Sequence, residues 1–357
     1  MKKYLRFLFI VILIIIITII CYVVYVLVDY RRIPDNTKIL STNVNSSIFE
    51  IDKEYSIMTH NIGYGSYTDD YTFFMENGKE SIARSFEDVI KNVSGSVNLI
   101  KKYDPDIVLF QEVDIKGDRS YNINEFDQIK SSFVEYNSLY AINYNTSYLL
   151  YPLKQPVGKN TSSIALFSKL LINSTTRKSL PISSDLSKFF DLDRCYTVSE
   201  MNMSNGKKLY IYNVHLTAYG GSDDIRIQQV KMISNDMNKK IKNGDYVICG
   251  GDFNSDLLLN SFEKFNSSKV KPEWAKPFLI ELLPDNMKVC KDYENNELIP
   301  TSRGLDTIYK EGVSEVMIID GFLVSSGIEV SFLKNIDNKF IYSDHNPVLM
   351  KFTLKNK

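Results

Sequence analysis

The sequence predicts a mixed α/β domain carried behind one membrane-spanning helix, and two observations predict it. An uncharged apolar run, FLFIVILIIIITIICYVVYVLV, fills residues 7–28. From residue 55 onward, apolar runs of strand length alternate with helical spacing to the end of the chain. No Pro/Gly/Ser-rich linker divides that stretch, so one large domain fits better than two small ones. The composition agrees: 357 residues at 44% hydrophobic and 24% charged hold enough apolar material for a sizeable core. They exclude a disordered chain, a collagen-like repeat and a small disulfide scaffold. The formal charge is −1, and Lys2, Lys3 and Arg6 precede the apolar run with no acid among them. The remainder is therefore more acidic than the total, the wrong sign for a general clamp on polyanions. A local basic pocket stays open.

As a helix, Phe7 to Val28 would span about 33 Å, enough for a bilayer core of roughly 30 Å. Tyr22, Tyr25 and Tyr30 gather toward one end, where amphipathic rings favour the membrane interface. A cleaved signal peptide is the rival reading, but the run is longer than a signal h-region and no small-x-small site follows it. Residues 1–30 therefore read as an uncleaved anchor. The basic residues before the span outweigh Arg31 and Arg32, which Asp29 and Asp35 offset, so the N-terminus is expected in the cytoplasm. The rest would lie outside it, as a single-pass protein of the cell membrane.

Residues 31–53 are polar and Asn/Ser-rich, and read as a tether; the domain proper is 54–357. YSIMTH (55–60) and DIVLFQ (106–111) read as strands. Between them Val89, Val93, Val97 and Ile100 fall at helical spacing, and Asp104-Pro105 ends that helix. SIALFS (163–168), KLYIYNVHL (208–216), DYVICG (245–250), VMIIDGFLVS (316–325) and PVLMKFTL (347–354) are further strands, and IRIQQVKMISNDM (225–237) is a helix. Two stretches break the rhythm: 255–300, with the single Trp274, and the Tyr-rich 136–151. In the latter, Tyr136, Tyr140, Tyr144, Tyr148 and Tyr151 either pack an ordinary hairpin, wall a pocket or dock on a bilayer. Phe189-Phe190 is an exposed apolar tip or a buried pair. Of the four cysteines, Cys21 lies in the span and Cys249 in an apolar strand pattern; a Cys195–Cys290 bridge stays open, because sequence alone does not pair them.

Chemistry collects where the apolar runs end. Asn61 follows YSIMTH, Glu112 follows DIVLFQ, His215 ends KLYIYNV, and Asp252 and Asn254 follow DYVICGG. Asp320 interrupts VMII and GFLV, and Asp344-His345 sits in YSDHNPVLM. Strand ends display their side chains at one rim of a sheet, where rigid sites form. Any one of these residues alone reads as a turn, a cap or a satisfied core group. Their joint occurrence, with two of three histidines in the set, points to a site.

The pieces HNIG (60–63), FQEVD (110–114), NVHL (213–216) with Arg226 and Gln229 beyond it, GGDFNS (250–255), IDGFLVS (319–325) and SDHNPV (343–348) stand in the chain order of a known superfamily. The chain resembles the endonuclease/exonuclease/phosphatase superfamily of DNase I-like nucleases, inositol polyphosphate 5-phosphatases and bacterial sphingomyelinases. GDFN and SDHNPV are the specific motifs, and the likeness covers nearly all of 55–354. It implies a four-layer α/β sandwich, two facing and mostly antiparallel sheets flanked by helices, with the site at one rim.

The resemblance implies a hydrolase of phosphate esters. Such an enzyme must neutralise the phosphate, deprotonate a water and stabilise the leaving oxygen. Hard carboxylate oxygens suit Mg²⁺ or Mn²⁺, and no zinc-like Cys/His cluster competes. Glu112 is the first choice of ligand, as in the family's QE motif, with Asp344 and Asn61 toward the same ion or its waters. By resemblance, Asp252 orients or deprotonates the attacking water, and Asn254 donates to a phosphate oxygen. Asp320 and His345 look like the family's Asp–His pair, and His215 like the second histidine, touching the phosphate or the leaving group. Arg194, in LDRCYTV, is a phosphate contact or only a surface ion-pair partner. His60, beside Asn61, would point to the opposite face of its strand and reads as structural.

The substrate stays open between nucleic acid and a phospholipid headgroup, both diesters, with a phosphomonoesterase of lipid or inositol phosphates as the alternative. His215 favours the DNase/sphingomyelinase branch. A catalytically silent, membrane-tethered binding module is the reading from another class, and Glu112, Asp252 and His345 stand against it. No protein partner is implied.

Overall fold

The computed structural model describes residues 2–185, 188, 193–217, 223–266, 271 and 275–356. Its helices are α1 (Lys2–Asp29), α2 (Phe86–Lys101), α3 (Glu125–Ser132), α4 (Asp223–Lys242) and α5 (Ser261–Phe265). The first eight strands are β1 (Thr37–Ile39), β2 (Glu54–Asn61), β3 (Ile107–Gly117), β4 (Asn137–Asn145), β5 (Asn160–Ser168), β6 (Ser174–Ser179), β7 (Cys195–Asn202) and β8 (Lys208–His215). The others are β9 (Tyr246–Asp252), β10 (Met287–Val289), β11 (Ser302–Arg303), β12 (Val316–Met317), β13 (Asp320–Ser325), β14 (Ile328–Asn335) and β15 (Val348–Leu354).

The strands form two large sheets. One runs β1-β6-β7-β8-β9-β13-β10 and the other β14-β15-β2-β3-β5-β4; β11 and β12 make a small separate ribbon. Pairing is antiparallel except at β2–β3 and β8–β9. Period-2 alternation divides the side chains between two faces. Ile57, Leu109 and Ile211 enter the main core between the sheets. Val108 and Phe110 point outward into a second core with Val89, Val93, Val97 and Ile100 of α2 and Ile129 of α3. On the other side α4 covers the seven-stranded sheet, with Asp236 accepting from Tyr196 and Tyr212 across that face. The result is the expected four-layer α/β sandwich.

Helix α2 begins where Ser85 caps it, accepting from the Asp88 backbone N–H at 3.0 Å. The apolar run at 316–325 does not form one strand. It breaks between Met317 and Asp320 because the backbone N–H groups of Ile319 and Asp320 turn to the Thr301 hydroxyl.

Helix α1 contains an 18-residue window with a mean hydropathy of 3.5, is long and apolar enough to cross a membrane, and buries none of its residues. The segment 31–53, expected as a tether, is laid along the domain instead. Within it β1 pairs with β6, Thr42 bridges Ser138, and Phe49 is fully buried, edge-on to Tyr55 at 4.7 Å. Ile39 and Ile51 pack on the same core, and Asn137 accepts from the Val44 and Asn45 N–H groups. The Cys195–Cys290 bridge does not form: both thiols are free, Cys195 near the Ile142 carbonyl and Cys290 near the Met350 sulfur. Trp274 and Phe189-Phe190 lie outside the described residues.

Candidate active site

Strand direction gathers the polar residues at one rim. β2 and β3 run parallel, as do β8 and β9, so their C-terminal ends point the same way. β13 is antiparallel to β9 and β15 to β2, so each begins at that rim. His215 and Asp320 both stand opposite Asp252 in the ladder. Every second residue of β8 before His215 faces the other sheet. Asn213 does so by accepting from the Gln111 amide at 2.8 Å and donating to the Ala165 carbonyl at 2.9 Å. This buried amide bridge ties the two sheets beneath the site.

Glu112 departs from the strand pattern. The register slips between Phe110 and Val113, and Glu112 takes φ 54°. That is the left-handed region, costly for a residue with a side chain. The extra residue keeps Phe110 and Val113 both in the outer core and turns the Glu112 carboxylate to the rim. Gly251 has a similar constraint: at φ +140° its Cβ would sit 2.1 Å from the Val214 carbonyl oxygen, so only glycine lets β9 lie this close to β8.

The side chains then meet. Asn61 Nδ2 donates to Glu112 Oε1 at 3.2 Å and to Asp252 Oδ2 at 3.1 Å, while its Oδ1 accepts from the Gly63 N–H. The two carboxylates are thus within two hydrogen-bond lengths of each other. His215 Nε2 lies 3.5 Å from Asp252 Oδ2 and 3.9 Å from Glu112 Oε1. His345 Nδ1 meets Asp320 Oδ2 at 2.8 Å, and its Nε2 lies 3.9 Å from Asp252 Oδ2 and 4.0 Å from Asp344 Oδ2. The Asn254 backbone N–H donates to Asp252 Oδ1 at 2.8 Å, and its side chain to the Leu216 carbonyl. Ser343 donates to the Asn61 carbonyl at 2.8 Å and fixes the Asp344-His345 turn. Glu112, His215, Asp252, Asn254, Asp344 and His345 line a cleft of about 110 Å³, which Arg194 also borders.

His60 faces away from the cleft, as its place in β2 predicts, and donates through Nε2 to the His345 carbonyl at 3.1 Å. Burial pushes it down to about 3, so the ring is neutral and serves as a prop under His345. Arg226 reaches Ser255 and the Pro277 carbonyl, and Gln229 holds Thr217 and the Pro181 carbonyl; both brace loops rather than enter the cleft. Sequence reasoning missed Arg303. Its guanidinium is buried at the cleft wall, donating to the carbonyls of Gly304, Thr68 and Tyr71, with Nε left unpartnered. Nothing marks it in the sequence, because its strand is two residues long.

The electrostatics are those of crowded acids. Burial pushes the Asp344 carboxyl up to about 7, with His345 pulling it down and Glu112 adding to the rise. Burial and then Asp320 raise Asp252 as well. His345 behaves oppositely: burial alone would lower it, but Asp320, Asp344 and Asp252 carry it well above the ordinary imidazole range. His215, buried and near Arg194, is held well below that range and stays neutral. Asp252, Asp320 and His345 also offer ligand atoms that all lie within 4.8 Å of one another. Asp320 and the His345 Nδ1 satisfy each other, however, so that pair is built to hold an imidazole. The hard oxygens of Glu112 and Asp344, crowded at one rim, fit a divalent cation, which would relieve their repulsion.

The comparisons place the chain. It shares 22% identity over 263 residues with uncharacterized protein L388 of Acanthamoeba polyphaga mimivirus, covering 72% of this chain and 89% of that one. The fold matches that of an endonuclease/exonuclease/phosphatase from Beutenbergia cavernae at a TM-score of 0.59 and 12% identity, over 85% of this chain and 72% of that one. It also matches ANGEL2, a 2′,3′-cyclic phosphatase solved with adenosine-2′,3′-vanadate, at a TM-score of 0.54 and 16% identity, over 90% and 99% of the two chains. The family model described as Endonuclease/Exonuclease/phosphatase family matches residues 58–345, from β2 through the Asp344-His345 turn, and the chain belongs to that family.

Proposed function

We propose that this protein is a membrane-anchored, divalent-metal-dependent phosphodiesterase. One observation carries the reading: Asn61, Glu112, His215, Asp252, Asp320 and His345, far apart in sequence, contact one another around a single cleft. Glu112 and Asp344 would hold Mg²⁺ or Mn²⁺. Asn61, a donor to Glu112 and Asp252 in this arrangement, positions those acids and would face the same ion or its waters. The bound ion supplies charge neutralisation and polarisation of the phosphate. Asp252 is the base toward the attacking water: its burial raises proton affinity, and the Asn254 N–H fixes its other oxygen. The protonated His345, locked by Asp320, donates to a phosphate oxygen as negative charge grows there. Neutral His215, with Arg194 beside it, contacts the phosphate or the leaving oxygen, and the Asn254 side chain completes that wall. Helix α1 anchors the domain, with its N-terminus in the cytoplasm and the cleft outside.

The test uses the full chain in detergent or nanodiscs with bis(p-nitrophenyl) phosphate. Hydrolysis should require Mg²⁺ or Mn²⁺ and stop in EDTA. Full activity in chelator would sink the metal assignment, and a preference for p-nitrophenyl phosphate would turn the reading to a monoesterase.

A further inference from the structure

Two more cavities continue the catalytic cleft toward helix α1. The first, about 140 Å³, shares Glu112, His215, Arg194, Tyr67 and Phe73 with the cleft. The second, about 530 Å³, shares Phe73, Met75, Arg119 and Tyr144 with the first. Along this path the chemistry changes. The inner end carries Glu112, His215 and Arg194. Arg119 stands at the junction with its charge matched by Asp114 at 2.7 Å and its guanidinium stacked on Tyr64 at 3.8 Å. Beyond it the wall is Phe74, Leu149, Leu150, Tyr151, Val157 and Tyr22, and Tyr22 belongs to α1.

The outer end therefore opens beside the membrane helix. Tyr22 donates to the Tyr148 carbonyl at 3.0 Å and accepts from the Leu150 N–H at 3.1 Å, and Tyr25 accepts from the Tyr148 N–H. By helical rise Tyr22 and Tyr25 stand about 10 and 6 Å before the end of α1. There Asp29 pairs with Lys159 at 2.8 Å, a charged contact that belongs in water. With α1 across a bilayer, the 148–153 loop would sit at the depth of the headgroups and upper acyl chains. It bears exposed apolar side chains, Leu150 at 42%, Tyr151 at 70% and Leu153 at 75% exposure. A protein surface rarely leaves such a group in water. We infer that this trough receives a phospholipid: its phosphodiester lies at the catalytic cleft, and an acyl chain leaves along the apolar cavity into the bilayer beside α1. Nucleic acid suits it poorly, because among the described residues the cation lining the outer cavity, Arg119, is already paired with Asp114.

The inference rests on the phosphodiesterase reading and can be separated from it. The full chain is placed in nanodiscs of phosphatidylcholine, phosphatidylglycerol and sphingomyelin. The readout is the rate of headgroup release divided by the rate on bis(p-nitrophenyl) phosphate. Leu150→Asp/Tyr151→Asp, at exposed positions, should lower that ratio by about tenfold or more. In the Glu112→Gln background, native mass spectrometry of protein released from the discs should show a retained phospholipid, lost on adding the double substitution. An unchanged ratio overturns the inference, as does wild type cleaving DNA or RNA faster than every lipid. If wild type fails on the soluble ester, the catalytic reading falls, and lipid retention alone decides the trough: retention that the double substitution abolishes supports it, and any other result overturns it.

Discussion

Replacing Asp320 tests the centre of the site most directly. Asp320 Oδ2 holds His345 Nδ1 at 2.8 Å, and both residues are buried. A hydrogen bond to a charged group contributes about 1.5–3 kcal/mol and a neutral one about 0.5–1.5 kcal/mol. Asp320→Asn keeps an acceptor oxygen but loses the charge, so it should weaken the hold on a protonated ring by about 1–2 kcal/mol. At 1.36 kcal/mol per tenfold, kcat/KM should fall roughly 5- to 30-fold. Asp320→Ala removes the acceptor and leaves Nδ1 buried without a partner, which costs a further ~1–3 kcal/mol and brings the loss to roughly 30- to 5000-fold. Stability should move less in the Asn variant, since Asp320 Oδ1 has no partner to lose and Asp252 is relieved of a like charge. The assay is kcat/KM on bis(p-nitrophenyl) phosphate with saturating Mg²⁺, alongside thermal unfolding by circular dichroism. Equal rates in the two variants, or a wild-type rate in Asp320→Asn, would refute the claim that this carboxylate acts through His345.

Two more predictions concern the acids around it. Glu112→Gln should lower kcat by roughly two to four orders of magnitude in Mg²⁺. In EDTA its Tm should match or exceed the wild type, because a crowded charge is gone; a wild-type rate would show that Glu112 is not a ligand. Glu125 is buried away from the cleft, accepting from the Asp114 N–H while its other oxygen has no partner, and burial and then Asp114 hold its carboxyl well above the usual range. A raised acid binds its proton more tightly in the folded state, so stability falls as pH rises from the ordinary carboxylate value toward the folded one. Glu125→Gln should therefore raise the urea midpoint at about pH 8 and leave it nearly unchanged at about pH 4. Equal effects at both pH values would count against that ionisation.

What the sequence disclosed follows from periodicity. Alternation in KLYIYNVH says that Asn213 and His215 share a face, and it separates His60 from Asn61. Strand-end positions then suffice to nominate the rim. Other features depend on contacts that spacing does not encode. The slip at Glu112 looks, in sequence, like the end of a strand, yet β3 continues to Gly117 beyond it. Phe49 is one aromatic in a polar stretch, and only the hollow beside Tyr55 and Phe352 makes it core. The five tyrosines of 136–151 are open, as a group, to the same three readings in the sequence, but the fold divides them. Tyr136 is buried and donates to the Pro105 carbonyl, Tyr140 packs on Phe126, and Tyr144 and Tyr151 line the outer cavity.

The bulge and the charge crowding are linked. A regular β3 would direct Glu112 away from the sheet interface, leaving Asp252 and Asp344 with less repulsion and the backbone without a left-handed residue. The chain instead keeps a strained backbone and brings a third carboxylate to two whose proton affinities burial has already raised. Neither feature stabilises the fold by itself. Both become favourable once a cation sits among the acids, since each added oxygen then attracts rather than repels. The polar floor of Thr59, Gln111 and Asn213 allows this: its hydrogen bonds hold β2, β3 and β8 in register from below, independently of what the rim binds. The strain is thus confined to the rim and does not reach the core.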